Sequence, residues 1–173
     1  MAQWKEVAPN QWEESVFRRI GKDWMLVTAE KEDGSVNTMT ASWGGLGIMW
    51  NKPVVFVVIR PQRYTKEFVD ASGRLSLTFF GEEYRKMLGY MGTVSGRDED
   101  KIAVQGLTVI HEGQTPYFEE ADTAMITRVL FAQPYQEESF LDIEVREKMY
   151  PSKDYHTLYI CEIEKILVKE QKV

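Results

Sequence analysis

The chain has 173 residues, of which 43% are hydrophobic and 28% are charged. This length predicts a single domain over residues 1–173, and the composition is typical of a soluble globular protein. The formal net charge of -6 argues against nucleic acid as a partner, because binding to a phosphate backbone requires a basic face. Any site for an anion must therefore be local.

Cysteine and histidine are both scarce. Cys161 is the single cysteine, which excludes an intrachain disulfide and a zinc site built from several thiolates. His111 and His156 are the two histidines, and we expect no metal site. No stretch approaches the roughly 18 apolar residues of a membrane span, and no signal peptide is indicated. We therefore expect a cytoplasmic protein that does not bind membranes.

The first predicted elements form a hairpin. Residues 24–31 and 36–43 have the composition of strands, and Asp33-Gly34 between them suits a tight turn. The glycine-rich stretch 44–47 is interpreted as a flexible step.

A buried strand and a helix follow. The β-branched run 54–59 predicts a buried strand, and residues 64–72 predict a short helix. Thr65 is its expected N-cap and Gly73 its expected terminator. Residues 74–80 alternate as a strand does.

The remaining pattern also favours strands over helices. It predicts helices at 82–91 and 137–150, a polar loop at 92–101, and strands at 124–132 and 155–168. Helices do not alternate strictly with strands, as a parallel α/β sheet requires. We therefore predict a mainly β fold, an antiparallel barrel with a few peripheral helices.

A cluster of cations stands out in this acidic chain. Arg60, Arg63 and Lys66 fall within seven positions, and Thr65 begins the predicted helix. Guanidinium groups, a hydroxyl and the N–H groups of a helix N-terminus together suit a phosphate monoester. The alternative is a solvated turn paired with nearby carboxylates, and the segment alone leaves both readings open.

Two further stretches could contribute to a ligand site. Asn37, Thr40, Ser42 and Trp43 place hydrogen-bonding groups and an aromatic ring just before glycines that would admit a flat ligand. They could equally be ordinary strand residues. The loop that ends in Lys101 contains neither a phosphate-loop nor a dinucleotide-binding pattern, and its default interpretation is a solvent loop. Nothing indicates hydrolytic chemistry.

Taken in order, these stretches resemble the flavin reductase-like, FMN-binding split-barrel family, which includes flavoredoxins. The similarity covers roughly residues 20–110 and 155–168. It is carried by NTMTASW at 37–43, Pro53, RPQRYT at 60–65, RLSLTFF at 74–80, SGRDEDK at 95–101 and YHTLYICEI at 155–163.

The resemblance implies a six-stranded antiparallel split barrel that forms a homodimer, with FMN near the subunit interface. It places Asn37, Ser42 and Trp43 beside the isoalloxazine ring system and His156 close to the flavin, and we count Thr40 of the same stretch among the cofactor-binding residues. By the same resemblance, Arg60, Arg63 and Thr65 lie at the phosphate, and Lys101 lies at the ring or the ribityl chain.

The implied function is an oxidoreductase that passes electrons from NADH, NADPH or a protein donor through FMN to an acceptor. An FMN-binding electron carrier without its own NAD(P)H site and a cofactor-free β-barrel interaction domain remain alternatives. The chain departs from the family pattern by an insertion at about 134–153 and by ending at Val173. Relatives often continue with a segment that covers the flavin, so we expect either a more exposed flavin or a cover supplied by the insertion.

Overall fold

The computed structural model describes residues 3–170, in which strands predominate. The strands are β1 (Trp4–Val7), β2 (Met25–Glu30), β3 (Val36–Ala41), β4 (Gly44–Met49), β5 (Lys52–Ile59), β6 (Arg74–Phe79), β7 (Val109–Glu112), β8 (Thr115–Phe118), β9 (Thr123–Pro134) and β10 (Thr157–Lys169). The α-helices are α1 (Val16–Arg18), α2 (Thr65–Ser72), α3 (Arg85–Thr93), α4 (Lys101–Val104) and α5 (Ile143–Met149). A π-helix covers Arg19–Asp23, and 3-10 helices cover Pro9–Gln11, Glu82–Tyr84 and Glu137–Ser139.

Eight of the strands form one antiparallel sheet. Its order is β3-β2-β6-β9-β10-β5-β4, and β1 pairs with the second half of β10. The two end strands, β3 and β4, are consecutive in the chain and do not pair with each other. Ser42 and Trp43 connect them, so these two residues lie where the sheet is open. β7 and β8 form a separate hairpin.

The core lies between the strands and extends beneath two helices. Met25, Val27 and Ala29 of β2 point into the main apolar cluster together with residues of β5, β6, β9, β10 and α2. Leu26, on the opposite face of β2, packs with Leu88 of α3 in a second cluster. This double burial follows from the continuous apolar run of β2, since successive side chains of a strand point to opposite faces.

The mainly β, split-barrel fold class is confirmed, with ten strands in the described residues where six were expected. The glycine-rich stretch 44–47 was wrongly interpreted as a flexible step, because it belongs to β4, which pairs with β5. Trp50 and Asn51 both have positive φ in the turn between these strands, as a tight hairpin with right-handed twist requires. Gly44 approaches the Phe56 carbonyl so closely that a Cβ would overlap it.

The predicted role of Thr65 as an N-cap is also wrong. Helix α2 has Tyr64 as its N-cap without a side-chain hydrogen bond, and Thr65 is the first helical residue. Its buried hydroxyl instead accepts a hydrogen bond from Asn37 at 2.9 Å. Gly73 ends the helix with φ of 65°, as predicted, because glycine adopts the left-handed conformation without a steric penalty.

The predicted helix at 137–150 is shorter in the structure. Residues Glu137–Ser139 form a 3-10 helix, and α5 begins after Asp142, whose carboxylate accepts a hydrogen bond from the Val145 N–H at 3.1 Å. Pro151 follows directly after the helix end, as predicted. We call residues 134–153 the inserted segment.

The core assignment predicts how two leucine truncations differ. Leu77 is fully buried in the main cluster, whereas Leu141 is 98% exposed. Leu77→Ala should lower the free energy of unfolding by about 2 to 5 kcal/mol through lost burial and a residual cavity. Leu141→Ala should change it by less than about 0.5 kcal/mol. Urea denaturation of both variants tests this, and equal losses would contradict the assignment.

Candidate functional site

The nine residues predicted as cofactor-binding line two adjoining cavities at the open side of the sheet. The first cavity, of about 220 Å³, is lined by Thr40, Ser42, Trp43, Arg60, Arg63 and His156, among others. The second, of about 130 Å³, is lined by Asn37, Arg63, Thr65 and Lys101, among others. Arg63 lines both cavities. The structure therefore brings the predicted residues together.

Strand register explains why distant parts of the chain meet at the first cavity. Thr157 of β10 pairs with Ile59 of β5, which places His156 next to Arg60 at the ends of two antiparallel neighbours. The rings of Trp43 and His156 lie 5.2 Å apart between centroids. Trp43 is 43% exposed, so one ring of this pair remains available to a ligand.

His156 is held as a neutral imidazole. The Tyr150 hydroxyl lies 2.7 Å from its Nδ1. Burial, with a further contribution from the charge of Arg60, lowers the pKa of His156 to about 4, and burial raises the pKa of Tyr150. At neutral pH the tyrosine therefore donates to Nδ1, and the imidazole proton resides on Nε2. His156 Nε2 has no hydrogen-bond partner within residues 3–170.

Arg60 is engaged by the inserted segment and the residue after it. Its guanidinium pairs with the Asp154 carboxylate at 2.7 Å and donates to the Met149 carbonyl at 3.0 Å. It also lies over the Tyr150 ring, 4.9 Å from the centroid. Arg60 and Thr65, which were predicted to lie together at the phosphate, thus belong to different cavities. Arg60 lines the first cavity and Thr65 lines the second.

Arg63 and Lys101 are cations without a carboxylate partner in the described part of the chain. Arg63 donates to the Gly92 carbonyl at 2.9 Å. Lys101, 3% exposed, donates to the carbonyls of Met91 and Val94 at 2.8 and 2.9 Å. Burial lowers the pKa of both groups, and for Lys101 burial together with the charge of Arg63 brings the pKa to about 8.

Donors surround these two cations. Because Thr65 Oγ1 accepts from Asn37, the Thr65 hydroxyl hydrogen is free to donate to a ligand. Gly96 packs so tightly against the Asn37 amide that a Cβ would overlap its oxygen. The backbone N–H groups of Ser95 and Gly96, which line the second cavity, make no hydrogen bond within residues 3–170. The second cavity thus combines positive charge with unused donors.

Thr40 and Ser42 have different roles at the first cavity. The Thr40 hydroxyl donates to the Leu88 carbonyl at 2.5 Å, and the Thr40 Cβ lies 3.2 Å from the position that a Cβ on Gly92 would occupy, which is closer than ordinary van der Waals contact. Thr40 thus fastens helix α3 to β3. The Ser42 hydroxyl makes no hydrogen bond within the described residues, so it remains available to a ligand.

Sequence reasoning missed the residues of the inserted segment and its border that shape this site. Tyr150 sets the His156 tautomer, and Asp154 neutralises Arg60. Neither lies in a stretch that resembles the family. Gly96 was included in the predicted loop, and a glycine between two polar residues was the available signal for a close backbone approach.

Comparisons with known proteins agree with this fold. The fold is that of the split-barrel proteins related to flavin reductases. A flavoredoxin of Desulfovibrio vulgaris (Miyazaki F) superposes with a TM-score of 0.68 at 22% identity over 95% of this chain and 78% of that chain. An FMN-binding domain of a flavin reductases-like enzyme from Shewanella baltica OS155 superposes with a TM-score of 0.68 at 15% identity, over 96% of this chain and 78% of that chain.

The family model described as "Flavin reductase like domain" matches residues 17–173, and the chain belongs to that family. It is also 28% identical over 117 residues to the uncharacterized protein YddH of Escherichia coli (strain K12), which covers 66% of this chain. The chain spans 61% of that relative's length.

Two kinds of feature are absent from residues 3–170. No group of three or more His, Cys, Asp or Glu side chains is placed to hold a metal ion. No helix in this range is long and apolar enough to cross a membrane.

The depressed pKa of His156 predicts a pH-dependent stability. Because the unfolded chain takes up the proton near pH 6.5 and the folded chain only near pH 4, the stability contribution is complete above pH 6.5. As the pH falls from 6.5 to 4, the free energy of unfolding should decrease by about 3 kcal/mol from this group.

Urea denaturation between pH 4 and 7 measures this decrease. His156→Gln should remove it, and His111→Gln, which alters the exposed histidine, should retain it. An NMR titration of His156 with a midpoint above pH 6 would contradict the assignment.

Proposed function

We propose that the protein is an FMN-binding oxidoreductase of the flavin reductase or flavoredoxin type. In this proposal it passes electrons from NADH, NADPH or a protein donor through bound FMN to an acceptor. The observation that carries the proposal is the pair Arg63 and Lys101. Arg63 is half-buried and Lys101 is buried, and neither has a carboxylate partner in residues 3–170; both line one small cavity of a chain with a net charge of -6.

A phosphate monoester dianion fits the second cavity. Two uncompensated buried cations are costly, and a dianion would neutralise both while using the Thr65 hydroxyl and the N–H groups of Ser95 and Gly96. At the start of helix α2 the N–H groups of Lys66 and Glu67 already donate to the Arg63 and Tyr64 carbonyls, so the helix adds the Thr65 N–H as a further donor. We therefore assign the phosphate to Arg63, Thr65 and Lys101, and we place Arg60 at the edge of the site.

The first cavity suits the isoalloxazine ring system. Trp43 offers an aromatic surface, Ser42 a free hydroxyl, and His156 a neutral ring whose Nε2–H is a donor. Bound FMN supplies the redox chemistry by accepting a hydride or electrons and passing them on. The protein contributes a donor at His156 and the positive charge of Arg63, which would stabilise the negative charge of reduced flavin.

A homodimer is part of this proposal, as is a cytoplasmic location. Trp50 is 54% exposed and contacts Phe131, which is 40% exposed, with 6.2 Å between the ring centroids. Ile48 is 71% exposed on the end strand β4. Exposed aromatic and aliphatic groups of this kind support an interface, and light scattering of the purified protein measures it.

The purified protein should be yellow and release intact FMN on heating. Stopped-flow mixing with NADH and with NADPH then measures flavin reduction. Reduction faster than that of free FMN supports the reductase, and no acceleration identifies the electron carrier. A colourless protein that does not take up added FMN would overturn the whole proposal.

The phosphate assignment predicts a ligand-specific effect of Arg63→Ala. Removing one partner of a desolvated charge pair costs about 2 to 5 kcal/mol, which is a loss of roughly 30-fold to several thousand-fold in FMN affinity. Riboflavin, which lacks the phosphate, should bind nearly unchanged. Fluorescence titration with both flavins measures the difference, and Thr65→Ala should show a smaller effect of the same kind.

Two neighbouring arginines serve as controls for this experiment. Arg97 is 44% exposed in its side chain and pairs with Glu67. Arg97→Ala should therefore reduce the free energy of FMN binding by at most about 1 kcal/mol. Arg60→Ala should weaken FMN less than Arg63→Ala does, because Asp154 already neutralises Arg60. Equal losses for FMN and riboflavin in Arg63→Ala would show that the residue is structural.

The pKa of Lys101 predicts a pH dependence of FMN affinity. Since this pKa is about 8 without ligand, protein above that pH must take up a proton to pair with the phosphate. FMN affinity should therefore fall as the pH rises from 7 to 9.5, and riboflavin affinity should not. Lys101→Met should bind FMN more weakly at pH 7 and lose this dependence, and an unchanged pH profile in that variant would refute the role of Lys101.

A further inference from the structure

A third cavity opens beside the first one and differs from it in chemistry. Its volume is about 690 Å³, and it shares Trp43 and Val58 with the first cavity. None of its 11 lining residues is charged. Phe56 of β5 and Gly44 of β4 form part of its wall.

The inserted segment supplies the remaining wall, which is aromatic. The Phe140 ring lies 6.0 Å from the Tyr135 ring and 5.5 Å from the Tyr150 ring, between centroids. Val145 and Met149 of α5 complete this wall. The rings brace one another, so the segment provides a preformed apolar surface next to the proposed flavin ring site.

The polar groups of the cavity restrict its ligand further. The Tyr150 hydroxyl is occupied by His156, whereas the Tyr135 hydroxyl makes no hydrogen bond within residues 3–170. Burial raises the pKa of Tyr135, so this hydroxyl stays protonated and can donate to a carbonyl oxygen. A nicotinamide dinucleotide does not fit wholly here, because its pyrophosphate would find no cation among the lining residues.

We infer that the third cavity binds a neutral, planar aromatic carbonyl compound of the quinone class as the second substrate of the proposed flavin site. The inference rests on the proposed function, because contact through Trp43 matters for electron transfer only if the first cavity holds the flavin. Apolar rings pack against Phe140, Tyr150 and Val145, and Tyr135 donates to a carbonyl oxygen.

Equilibrium dialysis of 1,4-naphthoquinone against the FMN-loaded protein tests this inference. Val145, 46% exposed, lines the cavity, whereas Ile143, 56% exposed on the same helix, does not. Val145→Glu should weaken naphthoquinone binding at least about tenfold, because a carboxylate beside the apolar ligand loses hydration. Ile143→Glu is the matched control and should change it less than about twofold.

A second variant and a second ligand test the carbonyl contact. Tyr135→Phe should weaken the binding of 1,4-naphthoquinone roughly fivefold, because it removes one neutral hydrogen bond. The same substitution should leave the affinity for naphthalene, which has no carbonyl group, unchanged. The anionic 1,4-naphthoquinone-2-sulfonate should bind the wild-type protein more weakly than the neutral quinone does.

Flavin retention, measured by absorbance in every sample, separates the two hypotheses. FMN retained without naphthoquinone binding overturns this inference and leaves the proposed function intact. Absence of FMN from the wild-type protein overturns the function. If Val145→Glu converts a dimer into a monomer by light scattering while no naphthoquinone binds, the cavity is covered by a second copy of the chain and the inference is wrong.

Discussion

The unpaired positive charge of Arg63 and Lys101 is the constraint on which the site depends. Backbone carbonyls of Gly92, Met91 and Val94 accept one hydrogen bond from Arg63 and two from Lys101, so part of the donor capacity of these two cations is used while their positive charge is not neutralised. Carbonyl dipoles stabilise a buried cation only in part. The α3 C-terminus and the loop after it are thereby held against α4 and the start of α2, in a geometry that an anion would complete.

The open side of the sheet makes room for this arrangement. β3 and β4 end the sheet without pairing, and the residues between them lie where an eighth ladder of this sheet would otherwise close it. Thr40 ties α3 to β3, and Asn37 ties β3 to α2 through Thr65. One buried and one partly buried hydrogen bond therefore fix both helices to one end strand.

Local sequence patterns predicted most strands and helices that carry the site, but neither β4 nor helix α4, which begins at Lys101, nor how the charges pair. The buried run 54–59 and the helix that ends at Gly73 follow from local propensity, and so does the grouping of Arg63 with Thr65. The partner of Arg60 lies 94 positions away at Asp154, and only the pairing of β10 with β5 brings the two together. The role of Thr65 as a hydrogen-bond acceptor likewise depends on Asn37, 28 positions earlier, which no local capping rule could reveal.

The inserted segment divides the site by charge. It ends where Asp154 neutralises Arg60 and Tyr150 holds His156 neutral, and its aromatic face contains no charged group toward the third cavity. At this site Arg63 and Lys101 are the cations whose positive charge stays uncompensated within the described residues, and both line the second cavity. The chain has a net charge of -6, and this local separation of charged from apolar lining can direct a phosphate to the second cavity and an apolar ring to the third. Each cavity disfavours the other's ligand because that ligand would lose hydration without gaining a matching partner.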